Sequence, residues 1–165
     1  MRRPVPEKPG PGQESVWDYP RPPRVEHVDR RVTIDLGGER IVDTRDVVRV
    51  LETSHPPVFY VRFADVADGV VQPAAGASMC EFKGSARYFS LTAGGVTAER
   101  AAWNYPNPFP GYEILADRLA IYPEAMEACM VDGERVISQP GGFYGGWITS
   151  DVVGPFKGIP GSLGW

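Results

Sequence analysis

The stretch "RVTIDLGGERIVDT" (residues 31–44) contains the pattern that decides the fold. Apolar and polar residues alternate over 31–36, as they do in half-buried β-strands, and a second short run with a central Ile-Val pair returns over 39–44. Gly37-Gly38 separates the two runs, and a glycine pair of this kind suits the two-residue turns that join antiparallel strands. The segment therefore predicts a β-hairpin.

Further short runs with the same character follow on the C-terminal side. Gly94-Gly95 and Asp132-Gly133 supply two more turns of the hairpin type. Only "PGYEILADRL" (110–119) is helix-like, with a proline at its start and apolar residues on one side. The sequence predicts one compact, mainly β domain with one short helix and extended N- and C-terminal arms. Further strands of this domain are predicted at 47–52, 59–63, 86–93, 119–123, 127–131 and 134–138.

Composition restricts the class of protein. The chain has 165 residues, of which 42% are hydrophobic and 36 are glycine or proline, so short elements and turns are favoured over long helices. A net charge of −4 disfavours a nucleic-acid partner. No apolar run is long enough for a membrane span or a signal peptide, so we expect no membrane partner and a cytoplasmic protein. Two cysteines and the absence of metal or phosphate-loop motifs predict no metal site and no cofactor.

The two ends of the chain differ from its middle. Residues 1–14 are proline-rich and charged, which predicts a flexible leader before a single β domain over 15–165. Trp17 and Tyr19 follow among prolines, either on an arm that docks on the domain or on a disordered linker. "PGGFYGGW" (140–147) surrounds heavy aromatics with glycines, which predicts an ordered segment that either covers a cavity or seals the core or a dimer edge.

The candidate catalytic residues are His55, Glu81 and Cys80. His55 precedes two prolines that would stiffen its loop, and an imidazole suits proton transfer near neutral pH. Glu81 is a candidate acid or base, and Cys80 is either a nucleophile or, as we favour, a buried thiol. If 80–83 is extended, Cys80 and Phe82 share one face of the strand and Glu81 the other.

The candidate ligand-binding residues are cations and aromatic side chains. Cations could receive a carboxylate or phosphate, and aromatic residues among prolines could wall a pocket, although surface charges and tight core packing would use the same residue types. The candidates are Lys83, Arg62, Tyr88, Trp103, Tyr105, Tyr144 and Trp147.

Several of these stretches together resemble one known family. "SHPPVFYV" (54–61), "CEFKGSARYF" (80–89), "AAWNYPNP" (101–108), "LAIYP" (119–123) and the glycine-rich tail resemble domain-of-unknown-function family 427, known mainly from bacteria. The resemblance covers about residues 47–131. Many members have Pro-Trp where this chain has Glu81-Phe82, so a role for Glu81 would not be common to the family.

The resemblance implies a β-tent fold of the Mss4-like kind, without the zinc-binding cysteine pairs. The family also carries a nucleotidyltransferase label. That chemistry usually places a Gly-Ser pair before an Asp-x-Asp or Asp-x-Glu pair that holds two metal ions. Gly84-Ser85 is present, but Asp132-Gly133-Glu134 lies far away in the sequence and fits a hairpin turn better.

Three functions are therefore weighed from the sequence. The leading one is a β protein that binds a small polar or aromatic metabolite, and that acts as an enzyme only if His55 or Glu81 performs acid–base chemistry. The second is a non-catalytic interaction module or homodimeric scaffold. Nucleotidyl transfer ranks third.

Overall fold

A computed structural model describes residues 3–165 and confirms a mainly β chain. All helical segments in this part are single 3₁₀ turns, at Val16–Asp18, Phe63–Asp65, Glu113–Leu115 and Pro123–Ala125. The strands are β1 (Glu14–Ser15), β2 (Arg24–Val28), β3 (Val32–Leu36), β4 (Glu39–Thr44), β5 (Val47–Leu51), β6 (Val58–Arg62), β7 (Val71–Cys80), β8 (Gly84–Ala93), β9 (Val96–Asn104), β10 (Arg118–Ile121), β11 (Ala128–Val131), β12 (Glu134–Arg135), β13 (Ile137–Ser138), β14 (Trp147–Ile148) and β15 (Val152–Val153).

The longer strands form two antiparallel sheets. A seven-stranded sheet has the order β2-β5-β6-β10-β9-β8-β7, and a four-stranded sheet has the order β12-β11-β3-β4. The predicted hairpin over 31–44 is confirmed as β3 and β4. Gly37 and Gly38 adopt φ values of 60° and 79°, as a two-residue turn of this type requires.

The main hydrophobic core lies between the two sheets. Phe59 and Val61 of β6 belong to it together with Ile34 of β3 and Val131 of β11, and all four side chains are at most 3% exposed. Tyr60, one position along β6, points to the opposite face because successive side chains alternate in a strand. The outer face of the seven-stranded sheet therefore carries a second cluster, which is rich in aromatic residues.

The predicted helix over 110–119 is wrong. The chain forms one 3₁₀ turn at Glu113–Leu115 and then enters β10, where Leu119 pairs with Val61 in the middle of the large sheet. The Asn104 side-chain nitrogen lies 2.7–3.2 Å from the carbonyls of Leu115, Ala116 and Arg118, and so holds the end of this turn and the start of β10. The buried sheet position of Leu119 outweighs the weak local preference for helix.

Both arms contact the body of the protein. The first two residues of the predicted leader lie outside the described part. Among the leader residues that are described, Glu7 hydrogen-bonds to Gly154 and Gln13 to Ser150. Tyr19 is buried, whereas the Trp17 indole N–H donates to the carbonyl of Pro155. Within residues 3–165, no helix has the length and hydropathy that a membrane crossing needs.

Candidate functional site

A cavity of about 330 Å³ lies on the outer face of the seven-stranded sheet. Strands β5 to β9 contribute its base, and the C-terminal segment forms the opposite wall. Its aromatic lining consists of Tyr60, Tyr88, Trp103, Tyr105, Tyr122, Phe143 and Tyr144. Its polar lining includes Glu52, His55, Cys80, Lys83, Gln139 and Lys157.

Lys83 is the most unusual polar residue of the cavity. It is only 8% exposed, and its ammonium group lies 5.7 Å from the centre of the Tyr105 ring. None of the ion pairs formed among residues 3–165 includes Lys83. A buried cation without a carboxylate partner is rare, because desolvation of the charge is costly.

A tight reversal of the chain places Lys83 there. Cys80 pairs with Gly84, so residues 81–83 form the turn between β7 and β8, and Gly84 adopts a φ of 114°. The alternating-face prediction for 80–83 is therefore wrong, because these residues are a turn rather than a continuous strand. Glu81 is exposed outside the cavity, while half-buried Cys80 lines it.

His55 lies on the other side of the cavity, in the loop between β5 and β6. Its Nδ1 atom is 3.1 Å from the side-chain nitrogen of Gln139, and Tyr144 packs edge-on against the ring at 4.8 Å. Burial, together with the positive charges of Lys157, Arg21 and Lys83, lowers the pKa of His55 to about 3. The imidazole is therefore neutral at physiological pH.

The aromatic wall is a set of rings in mutual contact. Trp103 packs against Tyr122 at 4.7 Å and edge-on against Tyr60 at 6.4 Å. Burial raises the pKa of Tyr60 and of Tyr105. Their hydroxyls therefore stay protonated and can take part in hydrogen bonds as neutral groups.

The glycine-rich tail completes the wall. Any side chain at Gly145 would collide with the Trp103 ring, and one at Gly146 would collide with Pro56 and with the Gln139 amide. Tyr144 lines the cavity, and Lys157 approaches its ring at 5.8 Å. Glycine is thus required where the tail presses against the base of the cavity.

Two other predicted ligand residues lie elsewhere. Arg62 forms ion pairs with Asp46 and Asp65 at 3.1 Å and does not line the cavity. Trp147 is 1% exposed and stacks on Phe59 in the main core, so its ring packs there and does not wall the cavity. Arg62 is the last residue of β6 and is held at that end of the strand by its two aspartates, and Trp147 belongs to β14, outside the seven-stranded sheet.

The sequence alone missed Glu52, Tyr122, Gln139 and Lys157 as cavity residues. Glu52 directly follows β5 and Tyr122 directly follows β10, and strands next to these two reach the cavity. This position in the chain is the only feature of the sequence that could have pointed to them. Gln139 and Lys157 come from the tail, and no local pattern connects them to His55. Within the described chain, no three His, Cys, Asp or Glu side chains are grouped so that they could hold a metal ion.

We expect His55 to make stability fall as the pH is lowered. Its pKa is about 3 in the folded protein and near 6.5 in the unfolded chain, so only the unfolded state binds a proton between these values. The free energy of unfolding should decrease by roughly 2 kcal/mol between pH 6.5 and 4.5. Urea denaturation at a series of pH values measures this slope.

The His55→Gln variant should show a flatter slope in the same window. His27→Gln, which changes an exposed histidine of β2, is the matched control and should keep the wild-type slope. Equal slopes for wild type and His55→Gln would show that His55 is not held neutral by the fold.

Comparison with known proteins gives one match. A family model described as "Domain of unknown function (DUF427)" matches residues 24–132, about two-thirds of the chain. No curated protein matches it. The matched segment includes the strands at the base of the cavity, whereas Gln139, Tyr144 and Lys157 lie beyond its end.

Proposed function

The chain belongs to the DUF427 family, and because that description assigns no activity, we propose from the cavity that the protein binds a small molecule with an anionic group and a flat, apolar part. The anionic group would lie at Lys83, and the flat part would lie between the aromatic side chains.

Lys83 carries the proposal. The residue is only 8% exposed, its ammonium group lies beside the Tyr105 ring, and it forms no ion pair among the described residues. A carboxylate or phosphate oxygen would compensate its charge and satisfy its donors. Lys157 adds a second positive charge at the cavity, and among residues 3–165 its Nζ atom donates only to the backbone carbonyl of Trp165, at 3.2 Å.

The aromatic wall supports the second half of the proposal. A bound molecule could pack against the rings of Trp103, Tyr105 and Tyr60 and form hydrogen bonds with the protonated hydroxyls of the two tyrosines. A volume of about 330 Å³ is at the low end of the range for ligand pockets, roughly 300–1,000 Å³. The ligand should therefore be small, such as an aromatic acid.

The arrangement favours binding over acid–base catalysis by the predicted residues. The pKa of His55 is about 3, which makes its imidazole a weak base, and its Nδ1 faces the Gln139 amide, so a role as general base is disfavoured. Glu81 lies outside the cavity. Glu52 is the one carboxylate in the lining and would be the acid–base group if the bound molecule reacts.

A second candidate function is association with another protein or with a second copy of the chain. Phe143 is 76% exposed and Met79 is 67% exposed, and both contribute to the cavity lining. Exposed apolar side chains of this size are common at interaction surfaces. The nucleotidyl-transfer alternative has less support, because Asp132 binds Arg30 and Glu134 binds Ser150 on the other sheet.

The Lys83→Met variant tests the proposal. We expect Lys83→Met to bind benzoate or phenyl phosphate roughly 10- to 100-fold more weakly, since a charge-assisted hydrogen bond is lost. Its thermal stability should not fall, because methionine fills similar space without a buried charge. Quenching of the intrinsic tryptophan fluorescence by each probe, checked by calorimetry, gives the two affinities.

Lys8→Met is the matched control, because Lys8 is exposed in the N-terminal segment. It should bind both probes like the wild type. Binding of neither probe to the wild type would overturn the proposal, and so would equal affinities for wild type and Lys83→Met.

A further inference from the structure

The orientation of the Gln139 side chain is determined by its contacts. Gln139 is 2% exposed, and its Oε1 atom accepts a hydrogen bond from the backbone N–H of Gly146 at 3.1 Å. Its Nε2 atom donates to the backbone carbonyl of Lys157 at 2.8 Å. Exchanging the two ends of the amide would place a donor against a donor and an acceptor against an acceptor.

This orientation determines the tautomer of His55. The same Gln139 Nε2 atom lies 3.1 Å from His55 Nδ1 and can only donate. Nδ1 must therefore accept, and the neutral ring carries its proton on Nε2. The charged groups around the ring are Lys83, Lys157 and Arg21 on the positive side and Glu52 on the negative side.

The Nε2–H group is left available in the cavity. Glu52 Oε2 lies 3.7 Å from Nε2, which is too long for a hydrogen bond. In the described chain, the buried side-chain atoms without a hydrogen-bond partner are Ser54 Oγ and Arg118 Nε, and His55 Nε2 is not one of them. The donor thus lies at an accessible edge of the ring, within a pocket that already contains a cation.

We infer that Gln139 is a positioning residue that holds His55 as a neutral Nε2–H donor towards the ligand. The inference rests on the proposed function and deepens it. The ligand class is an aromatic acid with a second oxygen acceptor, such as a keto group, in addition to the acidic group at Lys83. A neutral N–H donor stabilises a bound molecule only if an acceptor lies at the right position, whatever the charge of that acceptor. His55 would therefore provide selectivity among ligands, whereas Lys83 would attract anions in general.

The first experiment reads the tautomer without any ligand. Long-range proton–nitrogen NMR spectra of the histidine rings at pH 5–8 should show His55 of the wild type with its proton on Nε2. In Gln139→Glu, a carboxylate oxygen faces Nδ1, so we expect a proton on Nδ1. Gln72→Glu, which changes a glutamine of β7 outside the cavity, should leave the His55 signals unchanged.

The second experiment compares benzoate with its keto-acid counterpart benzoylformate. The wild type should prefer benzoylformate by about tenfold, the value of one neutral hydrogen bond. Gln139→Met should lose that preference while still binding benzoate. Thermal melting shows whether each variant is folded. If a variant does not fold, the spectra and affinities of the wild type still test the inference.

The possible results separate the inference from the proposed function. A wild-type His55 protonated on Nδ1 overturns the inference, whatever the ligands do. Equal affinity of the wild type for the two probes also overturns it and leaves the anion-binding proposal standing. If neither probe binds, the proposed function fails, and the ligand role of His55 fails with it.

Discussion

Replacing Trp147 by alanine should lower the free energy of unfolding by about 3–5 kcal/mol, the usual loss for a large aromatic residue in a core. The side chain is 1% exposed and stacks on Phe59 with 5.1 Å between ring centres. Its indole N–H also donates to the Ile121 carbonyl at 3.0 Å, so the substitution leaves both a cavity and an unpaired carbonyl. Urea denaturation followed by circular dichroism measures the change.

Phe143→Ala is the matched control, because it removes an aromatic ring four residues earlier in the same glycine-rich segment. Phe143 is 76% exposed, so its loss should change stability by less than about 0.5 kcal/mol. Trp147→Ala with near-wild-type stability would mean that the tail is not part of the folded core.

Asp46→Ala should also destabilise the protein strongly, by about 2–3 kcal/mol. Asp46 Oδ1 accepts from Arg118 Nη2 at 2.7 Å, and Arg118 is only 4% exposed. The arginine holds the pKa of Asp46 below its usual value. Without the carboxylate, a buried cation loses its counter-charge, although the 39% exposure of the Asp46 side chain keeps the loss below that of a fully buried pair.

Asp43→Ala provides the comparison, because Asp43 also forms a two-pronged contact with an arginine, Arg31. Both side chains of that pair are about half exposed, and such pairs contribute little to stability. Its chemical denaturation midpoint should be close to that of the wild type. Equal losses for the two variants would show that burial of Arg118 is not what makes Asp46 important.

The sequence predicted the strands that carry their own pattern. Alternation and glycine turns identified β3, β4 and β8, where one face is buried and the other is solvated. The sequence alone missed β2, β7 and β9, because prolines, small residues or charges hide the alternation in these segments. They are held as strands by pairing with their neighbours in the sheet. The LAIYP run identified β10, but the predicted helix extended from residue 110 into its start, because a short apolar run does not show by itself whether it forms a helix or a strand.

The candidate site was predicted in part. His55, Cys80, Lys83 and Trp103 line one cavity, although they come from separate loops and strands. Residue type alone could suggest them, since a lysine, a cysteine or a loop histidine has recognisable chemistry. Gln139 could not be suggested in this way, because its role depends on three contacts made across the fold.

The boundary of the family match divides the cavity between two parts of the chain. The strands at its base lie within residues 24–132, whereas Gln139, Tyr144, Gly145 and Lys157 come after that boundary. Under the proposed function, a different tail would change the lining of the cavity while the sheet at its base stays the same. Relatives that share the matched segment but differ in the residues that follow it would then be expected to differ in the molecule that they bind.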